Sequence, residues 1–161
     1  MLNLRPVSLL KLILFISLIS LVSAYFIEYI LGHQPCNLCL IERIPYALCV
    51  ILIFVNFIAK KNEKFVILLL ILTFFFSFTI SSYHFGIEQG FFEESTVCTL
   101  KDSAEITSKE ELLKQLNKKN ISCKDVTFRI FGLSLTSINI FISLILTILL
   151  TKTSIFYEKF R

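Results

Sequence analysis

An all-α fold of four transmembrane helices, with a long external loop that carries a short amphipathic helix, is what this sequence predicts. Three observations predict it. The chain of 161 residues is 55% apolar and 17% charged with a mean hydropathy of +0.77, a balance foreign to soluble domains. Its apolar residues collect into four runs, each about long enough to cross a bilayer. Lysine and arginine gather at the ends of those runs, as topology rules require. The length fits one domain. The basic residues lack the aromatic interleaving of a nucleic-acid surface, so DNA and RNA binding are set aside.

The first run, 12–31, has no charge before Glu28 and would span roughly 30 Å as a helix. It is long for a signal-peptide core and ends without a small-x-small cleavage site, so it is read as a span. The second run, 40–59, has an ambiguous start. A helix opening near Glu42 would place Pro45 in its first turn, whereas one opening at Asn37 would have to kink at Pro45. The third run, 65–83, is dense in phenylalanine, and the fourth, 130–150, is rich in leucine and isoleucine.

Arg5 and Lys11 precede the first span; Lys60, Lys61 and Lys64 fill the second turn; Lys152, Lys159 and Arg161 follow the fourth. These place both termini on the cytoplasmic side and leave loops 32–39 and 84–129 outside. The long loop holds seven basic residues but also eight acidic ones, and 84–100 has no Lys or Arg. Within it Ser108-x-x-Glu111 reads as a capping box, with Leu112, Leu113 and Leu116 at helical spacing. That is the expected amphipathic helix, either on the membrane surface or simply solvated.

Five cysteines leave one odd member under any pairing. Cys49 lies mid-span and reads as a small buried apolar residue. Cys36, Cys39, Cys98 and Cys123 all fall in the external loops, on the side where disulfides persist. Three readings compete. Structural staples are weak, because a C-x-x-C bridge closes too small a loop to restrain the unfolded chain. A four-cysteine zinc site is weak, because Cys98 and Cys123 are 25 residues apart. Covalent haem is excluded, because Leu40 stands where histidine is needed. A redox pair fits best, since a thiolate is favoured at a helix N-terminus. Arg43 follows Cys39 by four residues and would share its helix face. Opposite charges about 4 Å apart attract by roughly 4 kcal/mol at an effective dielectric of 20, before desolvation is subtracted. Such an arginine would hold Cys39 as thiolate; the plainer role is snorkelling to headgroups.

The stretch from Pro35 through Cys36, Leu38 and Cys39 to Arg43 resembles the disulfide bond formation protein B (DsbB) family of bacterial inner membranes. So do Tyr83-His84-Phe85-Gly86-Ile87-Glu88-Gln89-Gly90, with Cys98 beyond, and Cys123 followed by Phe131-Gly132-Leu133-Ser134-Leu135 and Asn139. The resemblance runs along essentially the whole chain. It implies an oxidoreductase that reoxidises a periplasmic thioredoxin-fold dithiol oxidase (DsbA-like) and passes the electrons to ubiquinone or menaquinone. A glutathione-type buffer lies about 80 mV too low for that task, roughly 3.7 kcal/mol for two electrons.

By the same resemblance Cys98 is the cysteine attacked by the partner's thiolate, and Cys123 its disulfide mate. Cys36 and Cys39 reoxidise that pair, with Cys39 nearest the quinone. Arg43 would stabilise the Cys39 thiolate and bind a quinone oxygen, and His84 is a second quinone contact or proton donor. His33 and Glu28 read as solvated end residues, and Glu88 has no assigned mechanism. The chain has no tryptophan, and Phe128 stands where the family often carries one. Two other activities fit less well. A quinone reductase of the vitamin K epoxide reductase type usually carries its C-x-x-C late in the chain. A non-catalytic tetraspan protein would hold zinc or structural disulfides.

Overall fold

The computed structural model describes residues 6–59, 63–94, 98, 122–124, 128–130 and 132–157. Four helices in it are long and apolar enough to cross a membrane. Helix α1 is Pro6–Tyr29, α2 is the short Asn37–Ile41, α3 is Arg43–Ala59, α4 is Glu63–Glu88 and α5 is Leu135–Tyr157. Strands β1 (Arg129–Ile130) and β2 (Leu133–Ser134) make a two-residue antiparallel ladder ahead of α5. Gly132 turns that ladder at φ +83°, a conformation open to glycine. The expected amphipathic helix around Ser108 lies outside the described residues.

Hydropathy marked the apolar stretches; the helices themselves run to different limits. Helix α1 begins before Lys11 and stops at Tyr29, ahead of Gly32 at φ +72°. Helix α4 continues five residues beyond Tyr83, which puts His84 and Glu88 on the helix rather than in a loop. It is closed by Gly90 at φ +78°, where Phe91 N–H bonds back to the Gly86 carbonyl at 2.8 Å. Helix α5 starts at Leu135, because the ladder takes up the preceding residues.

The second span resolves its ambiguous start by breaking in two. Cys36 caps α2, accepting the Cys39 backbone N–H at Sγ (3.3 Å), and Glu42 closes it. Arg43 then opens α3 with Pro45 in the first turn. Proline has no N–H to offer the carbonyl four residues back, so the break falls where a continuous helix would lack a bond.

Packing follows helical spacing. On α4 the buried positions Ile67, Leu70, Phe74, Ser77, Ser81, His84 and Ile87 recur every three or four residues. Phe74 is fully buried, while Phe75 and Phe76 are 59% and 58% exposed, as lipid-facing residues would be. One apolar core joins Leu10 and Ile13 of α1, Cys49 and Ile53 of α3, Phe74 of α4 and Leu146 of α5. Cys49 is fully buried there, with Ser17 Oγ 3.3 Å from its sulfur. Toward Glu88 the α4–α5 seam turns polar, with Ser77 and Ser143 hydroxyls 3.0 Å apart and Asn139 donating to Ser81 at 2.7 Å. Small polar side chains let the two helices approach closely and bond to each other inside the apolar phase.

Candidate active site: two cysteine pairs at one end of the bundle

The polar seam leads to the sulfur atoms. Cys98 and Cys123 are joined by a disulfide, whereas Cys36 and Cys39 are free thiols with their Sγ atoms 2.9 Å apart. Cys36, Leu38, Ile87 and Cys123 form one buried cluster, with Cys39, Ile41 and Cys98 packed against it. The two pairs, 62 residues apart from Cys36 to Cys98 by number, therefore meet on Ile87 and Leu38. Cys123 is 2% exposed and Cys98 is the more accessible member of its pair. Glu94 fastens the disulfide's neighbourhood, accepting from the Ser122 hydroxyl and from the Lys124 N–H at 3.3 Å.

His84 serves the free pair. Its Nε2 lies 3.5 Å from Cys36 Sγ, and its Nδ1 lies 2.8 Å from Glu42 Oε1. The second oxygen of Glu42 accepts from Asn139 Nδ2 at 2.9 Å, and the Tyr46 hydroxyl donates to Asn139 Oδ1. On the other side Thr136 donates to Glu88 Oε1 at 2.5 Å, and that oxygen stands 3.9 Å from His84 Nε2. Glu42 is 8% exposed and His84 1%, so this is a buried polar network in which nearly every group is matched. The hydrogen bond with the Cys39 thiol, seconded by His84, draws the Cys36 thiol well below its ordinary range against the opposing effect of burial.

Arg43, expected beside Cys39, has further partners. A single-residue turn at Glu42, itself in the αR region, separates Cys39 on α2 from Arg43 at the start of α3. Arg43 Nη1 donates to Glu28 Oε2 at 2.5 Å, and its guanidinium lies 5.0 Å from the Tyr25 ring centre. Glu28 is thus an ion-pair partner and not a solvated end residue. His33 also has a contact, its ring 5.1 Å from that of Phe128, the residue where the family often has tryptophan. The remaining surprise is Glu42, which the sequence reading passed over. Its signal was present as Ser77, Ser81 and His84 beside Asn139 and Ser143, a polar stripe on apolar helices that calls for a buried partner.

Arg43, with Leu21, Tyr25, Glu28, Tyr29, Leu40, Ile44 and Ala47, lines a cleft of about 350 Å³ between α1 and the α2–α3 segment. His84 is not among its lining residues and belongs to the sulfur cluster. The four-cysteine zinc site is not available in this state, because Cys98 and Cys123 are bonded to each other.

The family model for disulfide bond formation protein DsbB matches residues 6–152. The chain belongs to the DsbB family. An uncharacterised protein of Rickettsia prowazekii (strain Madrid E) is 30% identical over 146 residues, covering 89% of this chain and 84% of the relative. No solved structure matches. DsbB membership identifies a membrane oxidoreductase that generates disulfides, and the two cysteine pairs sit where such chemistry could be shared.

Proposed function

We propose that the protein is a thiol:quinone oxidoreductase of the bacterial inner membrane that reoxidises a periplasmic DsbA-like dithiol oxidase. The observation that carries this reading is the shared cluster in which a disulfide packs beside a reduced pair. A partner thiolate attacks Cys98, the accessible sulfur, forming a mixed disulfide and releasing Cys123 as thiolate. The partner's second thiolate then displaces Cys98 and leaves with a disulfide of its own. Cys98 and Cys123 are now a dithiol, two electrons richer. Exchange with an oxidised Cys36–Cys39 pair restores them and passes those electrons to Cys36 and Cys39. The hydrogen bonds at Cys36 favour it as the departing thiolate in that exchange, because a lower-pKa thiol leaves faster.

The cleft beside Arg43 suits a quinone headgroup. Leu21, Leu40, Ile44 and Ala47 offer apolar walls, Tyr25 an aromatic face, and Arg43 a guanidinium with five N–H donors. Bound there, ubiquinone or menaquinone supplies the two-electron, two-proton acceptor. Glu28 holds Arg43 in place, while His84 and Glu42 hold and move the proton at Cys36. The basic span ends favour an orientation with both termini in the cytoplasm and the cysteines in the periplasm. The test is quinone reduction by purified protein supplied with a reduced DsbA-like partner. Wild type turns over and Cys39→Ser does not; equal rates would remove Cys39 from the chemistry.

A further inference from the structure

The reduced pair and His84 also make a set of metal donors. Cys36 Sγ, Cys39 Sγ and one ring nitrogen of His84 lie within 4.8 Å of one another, and two of the three residues are buried. We propose that the reduced chain binds one zinc ion through Cys36, Cys39 and His84, in a site that exists only while the pair is a dithiol. The reading of these cysteines as a redox pair gives the site its consequence, but the binding itself does not depend on a quinone or a partner.

Distances make the case quantitative. Tetrahedral zinc with Zn–S about 2.3 Å and Zn–N about 2.05 Å needs sulfurs about 3.8 Å apart and sulfur to nitrogen about 3.6 Å. Here Cys36 Sγ to His84 Nε2 is 3.5 Å, already at that value. The sulfurs are 2.9 Å apart and must open by about 0.9 Å, a small rotation of side chains on the short α2. The ring is held as a ligand should be. Glu42 Oε1 lies 2.8 Å from Nδ1, and a carboxylate on one ring nitrogen fixes the tautomer and leaves the other nitrogen's lone pair for a metal. Glu42 is itself anchored by Asn139, so the support is built from three elements, α3's entrance, α4 and α5. A fourth donor stands close by. Glu88 Oε1 is 3.9 Å from His84 Nε2, and its buried Oε2 has no hydrogen-bond partner among the described residues.

The proton balance is simple. Zinc displaces the proton of the Cys39 thiol and the one shared between Cys36 and His84, so two protons leave and nothing is oxidised. A disulfide offers no thiolate, so oxidation of the pair ejects the ion. Conversely, bound zinc keeps both sulfurs from closing into a disulfide, which makes it a brake on the relay.

Equilibrium dialysis of the full chain in detergent against zinc chloride, with a phosphine reductant that does not chelate, reads this out. The expected result is about one zinc per chain when reduced and none after oxidation. His84→Ala should weaken binding at least about tenfold, while Cys98→Ser with Cys123→Ser should leave it unchanged. Cobalt in the unaltered chain supplies a readout that needs no variant, as tetrahedral d–d bands with thiolate charge transfer. Absent binding, octahedral cobalt, binding indifferent to His84→Ala, or loss with the Cys98 and Cys123 pair would each overturn the site. Quinone reduction is not measured here, so failure of the proposed enzyme activity and failure of the metal site are separate results.

Discussion

Cys36 is the residue on which the local chemistry turns. It caps α2, faces His84 and touches Cys39, and those hydrogen bonds outweigh burial to favour its thiolate. The sign follows from the direction of the shift. A depressed thiol is ionised throughout the neutral range and gains its proton only when pH falls through the lowered value. Thiolate absorbance near 240 nm in the reduced protein should therefore stay level from about pH 8 to pH 6, where an ordinary thiol of pKa about 8.5 is protonated. Cys39→Ala should restore the ordinary titration more fully than His84→Ala, since the Cys39 hydrogen bond is the larger cause. A wild-type curve with a midpoint near 8.5 would contradict the assignment. The sequence reading put the thiolate on Cys39 and its support on Arg43. Spacing alone does not show the pairing of Arg43 with Glu28, 15 residues away on α1.

At the scale of elements, the four spans and both loop cysteine pairs were legible, because apolar runs and their basic ends are written directly in one dimension. The buried carboxylate was not. Glu42 meets His84 across 42 residues and Asn139 across 97, so no local pattern announces it. Its cost if stranded explains why Asn139 matters more than other seam residues. Losing the Asn139 amide removes its bonds to Glu42, Ser81 and Tyr46 together, whereas a single neutral interhelical bond in a membrane averages about 0.6 kcal/mol. Asn139→Ala should thus lower the thermal midpoint in detergent clearly more than Ser77→Ala, which takes only the Ser143 contact. Equal shifts would mean that the Asn139 hydrogen bonds together add nothing beyond one ordinary seam contact.

For the molecule as a whole, the bundle sorts its two ends. The apolar core around Cys49, Ile53 and Leu150 fills one half, and the sulfur cluster with its polar seam occupies the other. The charge asymmetry then predicts sidedness. Reporter fusions should give active alkaline phosphatase after residue 124 and inactive enzyme after residue 61, and the reverse pattern would place the cysteines in the reducing compartment. Arg43 lines the cleft against α1, while His84 hydrogen-bonds within the sulfur cluster. The cleft lies toward α1, with Leu40 of α2 in its wall, and the hydrogen bonds of His84 and Glu42 lie toward α4 and α5 on the side of the Cys36–Cys39 pair.

In the proposed relay, electrons cross from a protein dithiol to a membrane acceptor through these four sulfurs. Under anaerobic conditions, with limiting quinone and excess reduced DsbA-like partner, the ratio of partner disulfides formed to quinone consumed tests it most directly. The expected ratio is one to one, two electrons each way, with oxidation stopping when the quinone is spent. Partner oxidation that continues after the quinone is gone, or quinone loss without disulfide formation, would contradict it.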